Sequence, residues 1–440
     1  MWRVPTVALA LASPLAACQF DAPVDQQPID ARLFDAAPAC VADTIVCDDA
    51  QGVYTECDAT GTVVRQMTCP LGCAPDVEKC LDIDPYNGLA MYLDMVEDPP
   101  DVVVSGTGTI DDGTGLLFDD GRDLAVPAFQ DGTSGAWVLV VNSLQVTGQL
   151  VLPATAQPRR ALAIVARGDI SIRGPIRIDA DGPLAGAGGQ PPGEFGTDCS
   201  GANVHHSSPD TSPGASGGGA ATAGGAGGET TSASPTGGGL PLEADSLFGG
   251  CAGGTVFFAG GSSVRASGGA GGGAIQLASR TSIVLSDAGS IDASGGGARA
   301  GGVLSAGAGG GGGGRVFLEA PQVVLNGPGV VLSTKGGGGS GASGPTTGAL
   351  GQPGEDGGTA PVRAQGGMSP VQSNGGAGGN ETADPGGGGY AGGTTTSGGG
   401  GGGAPGNVFI FTQSGVVAPA NGAAIRSRLV AGRLTTRIVP

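Results

Sequence analysis

The side chains with the most chemical capacity in this chain are few and scattered. Asp179 and Asp292 each follow an isoleucine at the end of a short apolar alternation, in IRIDA and SIDAS. Read as equivalent places in two repeats, they stack on one outer face, with Arg173 and Arg177 close by. Grouped carboxylates beside cations are what acid–base cleavage of a glycan needs. This is the best constellation for catalysis in the sequence, but charged residues on an outer sheet face are ordinarily just solvated. No residue is therefore assigned a catalytic role. The only histidines, His205 and His206, sit together in SGANVHHSSPD, and adjacent histidines on a loop can hold a metal. No partner cluster accompanies them, so they read as solvated. The acidic pairs Asp111–Asp112 and Asp119–Asp120 are weak calcium candidates, without the G-G-x-G-x-D spacing of a dedicated repeat. Runs such as 309–314 are not phosphate loops, because no G-K-[ST] follows. Neither a metal nor a cofactor is expected.

The N-terminus reads MWRVPTVALALASPLAACQFD. Arg3 supplies a positive start, and the apolar run from Val4 to Ala12 is too short to span a bilayer. Small residues then lead to Cys18, the shape of a secretory signal over 1–17. Leu15-Ala16-Ala17-Cys18 resembles the bacterial lipobox. That resemblance implies cleavage before Cys18 and acylation of its thiol and new amine, a stable anchor because more than one chain is attached. The family's sorting rule makes Gln19 an outer-membrane signal. Residues 18–39, rich in Asp, Pro and Ala without a period, read as the lipidated cysteine and a tether.

The cysteine count agrees with export. There are nine, at 18, 40, 47, 57, 69, 73, 80, 199 and 251. Setting Cys18 aside leaves an even set, as an oxidising compartment favours. Cys40, Cys47, Cys57, Cys69, Cys73 and Cys80 crowd a module at 40–80, too small to bury a sufficient core unaided. Disulfides substitute for that core, and the pairing stays open among fifteen. GVYTEC and GTVVRQMTC read as a hairpin around Asp58-Ala59-Thr60-Gly61. Zinc at Cys69 and Cys73 is a rival, weakened by the absence of a nearby histidine. Cys199 and Cys251 flank a glycine-rich stretch and read as a further disulfide.

The elements that must position these residues begin near 98. AWVLVVNSLQVTGQLVL and ALAIVARGDISIRGPIRI align at an offset of 26 residues. Val138 and Val140 fall on Ile164 and Ala166, Leu144 and Val146 on Ile170 and Ile172, Leu150 and Leu152 on Ile176 and Ile178. Each unit is three short strands with period-two alternation. Further copies carry Ile275, Leu277, Ile283, Leu285, Ile291 and Ala293, then Val316, Leu318, Ala320, Val323, Leu325, Val330 and Leu332. An abbreviated copy is read at Thr255–Phe258 and Val264–Gly268, and a partial one from Asn407 to Val417. Units that cannot bury their own apolar face must stack. The expected fold is all-β: a right-handed parallel β-helix over 98–440. A β-sandwich gives the alternation no fixed offset.

Of 440 residues 91 are glycine, which excludes a helical body. Glycine-rich insertions are expected at about 182–253, 294–314 and 336–406, leaving one corner of the stack after Ala180, Ala293 and Ser333. Whether they are disordered, lie on the outer sheet face, or pack together as extended strands stays open. The apolar residues Val284, Phe317, Val324 and Phe409 fall on the outward parity, so something covers that face, with the glycine segments as nearest candidates.

Net charge is -19, and Lys79 and Lys335 are the only lysines. A nucleic-acid partner needs basic patches and is not expected. The whole arrangement resembles glycine-rich outer-membrane lipoproteins of large-genome bacteria, which join a lipobox, a module of the form C…C…Y…C…G…C-x3-C…C and a β-helical body. Here Cys40, Cys47, Tyr54, Cys57, Gly61, Cys69, Cys73 and Cys80 carry that pattern; the glycine tracts are like those of PE-PGRS proteins in composition only. The resemblance implies location more than activity. The expectation is a non-enzymatic structural, adhesive or binding lipoprotein, held to the membrane by its lipid and meeting an extracellular polysaccharide or protein. A carbohydrate-active β-helix enzyme, a lyase or hydrolase, is the alternative.

Overall fold

A computed structural model describes residues 40–438 apart from 49–51, 70, 75–78, 194–198, 206–211, 231–233, 235–236, 241, 243–246, 259–262, 346–348, 372 and 390–396. The expected signal, tether and Cys18 lie outside the described residues. The described chain is nearly all β, with one α-helix, Ala90–Met95. No helix among the described residues is long and apolar enough to cross a membrane.

In the cysteine module, Val53–Cys57 pairs antiparallel with Ile45–Asp48 and Val63–Thr68. The expected turn is held by the Asp58 carboxylate, which accepts from the Thr60 and Thr62 amides at 2.8 and 2.9 Å. Gly61 has a positive φ there, which glycine adopts without strain. The disulfides join Cys40 to Cys57, Cys47 to Cys73 and Cys69 to Cys80.

Beyond the module lie three largely parallel sheets. The first orders Arg428–Arg433, Asn407–Thr412, Arg315–Glu319, Ala274–Ser279, Leu162–Ala166, Trp137–Val141 and the antiparallel Ala128–Gln130. The second contains Gln322–Asn326, Ser282–Ser286, Ile170–Ile172, Ser143–Val146 and Asp101–Val104. The third runs from Ala424–Arg426 through Val331–Ser333, Ser290–Asp292, Pro175–Arg177 and Gln149–Val151 to Thr107–Ile110, and ends in two short antiparallel strands. Within these sheets successive strands pass from first to second to third, then begin again, until the last turn goes from Asn407–Thr412 directly to Ala424–Arg426 of the third sheet. Ile172 is registered with Leu285, and Leu285 with Leu325. These belong to one buried aliphatic cluster drawn from all three sheets.

The alignment needs two corrections. In the second and third sheets the offset of 26 holds, as Leu144 with Ile170 and Leu150 with Ile176. In the first sheet it is 25: Leu139 pairs with Ile164 and Val141 with Ala166. The turn from Val141 to Leu144 is one residue shorter than that from Ala166 to Ile170. Carrying 26 back across it exchanges the faces. Leu139 and Val141 enter the main core, whereas Val138 and Val140 join a second cluster on the opposite face. The abbreviated copy is also not a unit of these sheets. Val256–Phe257 and Val264–Ala266 pair antiparallel in a separate small sheet with Val204–His205. Too few residues separate them for a parallel crossover.

The outward-facing phenylalanines are covered mainly by residues 81–96; from the glycine segments, Leu247 joins the same cluster. Phe317 and Phe409 stack at 4.4 Å, and Tyr86 lies on Phe411 at 4.9 Å. Leu89, Tyr92 and Leu93 complete this second cluster. Arg167 fastens the helix end, donating to the Leu93 and Glu97 carbonyls at 3.2 and 2.6 Å. Asp82 and Asp94 share ion pairs with Arg280 and Arg437, and Leu81–Ile83 pairs with Thr436–Ile438. Val284 and Val324, on the second sheet, stay half-buried.

The glycine segments pack against one another. The buried run 309–314 shows how. Amides of Gly309 and Gly312 donate to Gly254 and Cys251, those of Gly310 and Gly313 to Gly401 and Ala404, and those of Gly311 and Gly314 to Gly296 and Ala293. Neighbours recur every third residue. The side where a Cβ would point shows the same period. Gly309 and Gly312 abut the Ser216 and Gly219 carbonyls, Gly310 and Gly313 those of Gly337 and Thr334, and Gly311 and Gly314 those of Ala270 and Gly273, all closer than the 3.0 Å a real Cβ requires. Three residues per turn without internal hydrogen bonds is the period of the polyproline II helix. Its amides and carbonyls here bond sideways to like segments. Glycine is required because a side chain would occupy the neighbour's backbone.

Candidate functional site

The third sheet and the glycine segments enclose a polar cavity of about 560 Å³. Arg177 and Asp292 come from adjacent strands, and residues 355–360 and 362–364 also line the cavity. Lys335, Glu355, Asp356 and Arg363 join Asp179 in the lining. The two aspartates singled out in the sequence do meet here, though not as equivalents. Ile291 is registered with Ile176, so Asp292 stands beside Arg177. Taking Asp179 and Asp292 as equivalents sets Ile291 on Ile178, two places beyond its partner in the sheet. Arg173 is elsewhere, 4.0 Å from Asp287.

Each group in the pocket is held by a specific contact. Arg177 and Asp179 form an ion pair at 2.9 Å. Asp292 accepts from the Ser294 amide at 3.1 Å and its hydroxyl at 2.6 Å. Burial, then the charge of Asp179, nevertheless push the Asp292 carboxyl up to about 6. Lys335 donates to the carbonyls of Ala360 and Val362 at 2.7 and 2.8 Å, and burial lowers its pKa. Asp356 accepts from the Gly182 and Gly297 amides at 2.9 and 2.6 Å; burial raises its pKa against those bonds. The arrangement brings together a carboxyl that carries a proton near pH 6, an ion-paired carboxylate and two further cations. Lys335, Glu355, Asp356 and Arg363 were missed in the sequence because they belong to the glycine segments, whose path no periodicity of the strands reveals.

A second acid lies under residues 81–96. Glu319 accepts from Gln276 Nε2 at 2.6 Å and from the Tyr86 amide at 3.1 Å. Burial pushes it up to about 7. Both faces of its strand are buried, so a charge in RVFLE was the available signal.

The remaining candidates have local partners. His205 stacks on Phe257 at 5.1 Å, and His206 lies outside the described residues. Asp111 binds the Thr114 amide and hydroxyl, Asp119 the Ser105 and Gly106 amides, and Asp120 the Thr107 amide. The sulfurs of Cys47, Cys69 and Cys73 lie within 4.8 Å of one another, but each is oxidised in a disulfide and offers no thiolate. Cys199 and Cys251 are joined, with Cα atoms 5.8 Å apart. Cys18 lies outside the described residues. No family model, curated protein or solved structure matches this chain.

Proposed function

We propose that this is a lipid-anchored outer-membrane protein whose polar pocket binds an extracellular polysaccharide. The observation that carries the reading is the lining of that pocket: Arg177, Asp179, Lys335, Glu355, Asp356 and Arg363 offer charged donors and acceptors suited to a polyhydroxylated chain. The three sheets are read as a right-handed parallel β-helix. Their strands recur in fixed order around one aliphatic cluster, and parallel crossovers are overwhelmingly right-handed. Acylation of Cys18 and the tether of 18–39 provide the anchor, and the disulfides accord with an oxidising envelope.

Two measurements test this. On fractionation of cells, the wild type sediments with outer membranes and Cys18→Ser is released; identical distribution of the two removes the anchor. On a panel of immobilised polysaccharides, the wild type is retained and Arg177→Gln binds about tenfold more weakly, the effect of losing a charged hydrogen bond. Retention on no polysaccharide rejects the binding reading.

A second reading, glycan cleavage, is supported by the carboxyl pair alone. One carboxyl raised to about 6 beside another held in an ion pair resembles the division of labour in glycoside hydrolysis. Under this reading the wild type releases reducing ends from the bound polymer and Asp292→Asn does not, while still binding it.

A further inference from the structure

A second cavity, of about 980 Å³, lies on another part of the molecule and is built differently. One wall is apolar: Leu240, Leu242, Leu247 and Phe248. Leu247 is buried, but Leu240 and Phe248 remain 57% and 53% exposed. Both leave apolar surface in water that a ligand would bury favourably. The floor is bare backbone, fixed by bonds from Gly188 to Arg159 and from Gly249 to Gly188, each 2.9 Å. The Cys199–Cys251 disulfide braces the wall. This cavity therefore has a fixed floor and an unsatisfied hydrophobic side.

Its polar end is cationic. Arg160 is already engaged, donating to the Gly135 carbonyl at 3.0 Å and lying over Trp137 at 5.6 Å. Asp112 is turned to the backbone, its carboxylate accepting from the Arg160 amide at 3.5 Å. Arg159 lines the same cavity; after the hydrogen bonds from Thr114, its charge helps to lower the Asp111 pKa, but no side-chain hydrogen bond or ion pair ties it among the described residues. Cavities of this size with an apolar wall and a few placed polar groups are small-molecule sites.

We infer that this cavity binds an amphiphile with a single anionic head, its chain against Leu240 and Phe248 and its head at Arg159. The inference is independent of the polysaccharide reading, since no residue is shared between the two cavities.

The test is calorimetric titration of the full chain with dodecanoate, dodecanol and dodecyltrimethylammonium, below their aggregation concentrations. Dodecanoate binds one to one, and dodecanol about tenfold more weakly, the loss expected for a charge-assisted contact. Arg159→Gln brings dodecanoate down to the level of dodecanol. The double variant Leu240→Asp, Phe248→Asp, at exposed positions, abolishes binding while keeping the wild-type circular dichroism. Co-sedimentation with phosphatidylglycerol vesicles but not phosphatidylcholine vesicles, lost in the double variant, identifies a membrane lipid as the source of the head; binding only to dodecanoate identifies a free amphiphile. Equal affinity for all three ligands, or binding unchanged in the double variant, overturns the inference. So does a wild-type dimer that the double variant dissociates, which assigns the cavity to a second copy.

Discussion

Glu319 is an acid placed where water does not reach, Asp292 one nearly buried in the wall of a polar cavity, and both are raised rather than lowered. The sign of their effect on stability follows. Between its unfolded and folded pKa, each binds more protons in the native state than in the unfolded chain, so stability falls as pH rises through that window. For Glu319 the window runs from about 4.5 to about 7. We expect the thermal midpoint of the wild type to decline across it, and the Glu319→Gln profile to be flatter by on the order of 3 kcal/mol over the same range. Parallel profiles for the two proteins would show that Glu319 does not titrate there. Asp292 was legible because it breaks a short aliphatic alternation. Arg177 was legible as a neighbour, but its direct register with Asp292 was not, since that register depends on a glycine segment of variable length. Glu319 was legible only as an anomaly, because the residues that bury it come from 81–96, a stretch with no repeat to announce it.

At the scale of elements, the glycine segments follow a different rule from the strands. Strand sites tolerate side chains because alternate residues leave the sheet plane. In the glycine bundle each residue points at a neighbouring backbone. Gly311→Ala would set its Cβ against the Ala270 carbonyl, whereas an alanine at Gly302 meets nothing within 4 Å. We expect Gly311→Ala to lower stability by about 3 kcal/mol or more, the upper range for overpacking, and Gly302→Ala to leave it nearly unchanged. Chemical denaturation of the two variants decides; equal midpoints would mean that the segments are not close-packed. Part of this was written in the sequence. In AGGAGGE, Ala223, Ala226 and Glu229 recur at every third place and are exposed, while Gly225, Gly227 and Gly228 between them are buried. A non-glycine residue in every third position marks a segment at the bundle surface. Uninterrupted glycine, as at 309–314, marks one inside. Composition alone does not distinguish such a bundle from a disordered tract.

At the scale of the whole molecule, the strands and the bundle are continuous. Gly273 leads directly into Ala274–Ser279, Gly314 into Arg315–Glu319 and Gly406 into Asn407–Thr412. The strand repeat was readable because buried aliphatics alternate, and the common point of exit because all the insertions follow third strands. The coupling was not, since it rests on backbone bonds that carry no side-chain signature. Those bonds tie the bundle to the sheets: the Gly314 amide donates to Ala293, and the Arg315 amide to Gly273. Opening the run 309–314 would therefore strip partners from the start of a core strand. Amides in one cooperative unit share one opening free energy. Deuterium uptake read by mass spectrometry should then show peptides spanning 309–314 protected to the same degree as those spanning 274–279, with Gly311→Ala accelerating both. Exchange of the glycine peptide within seconds beside a protected strand would instead make the bundle a set of independent loops, and the walls of both cavities would lose their fixed geometry with it.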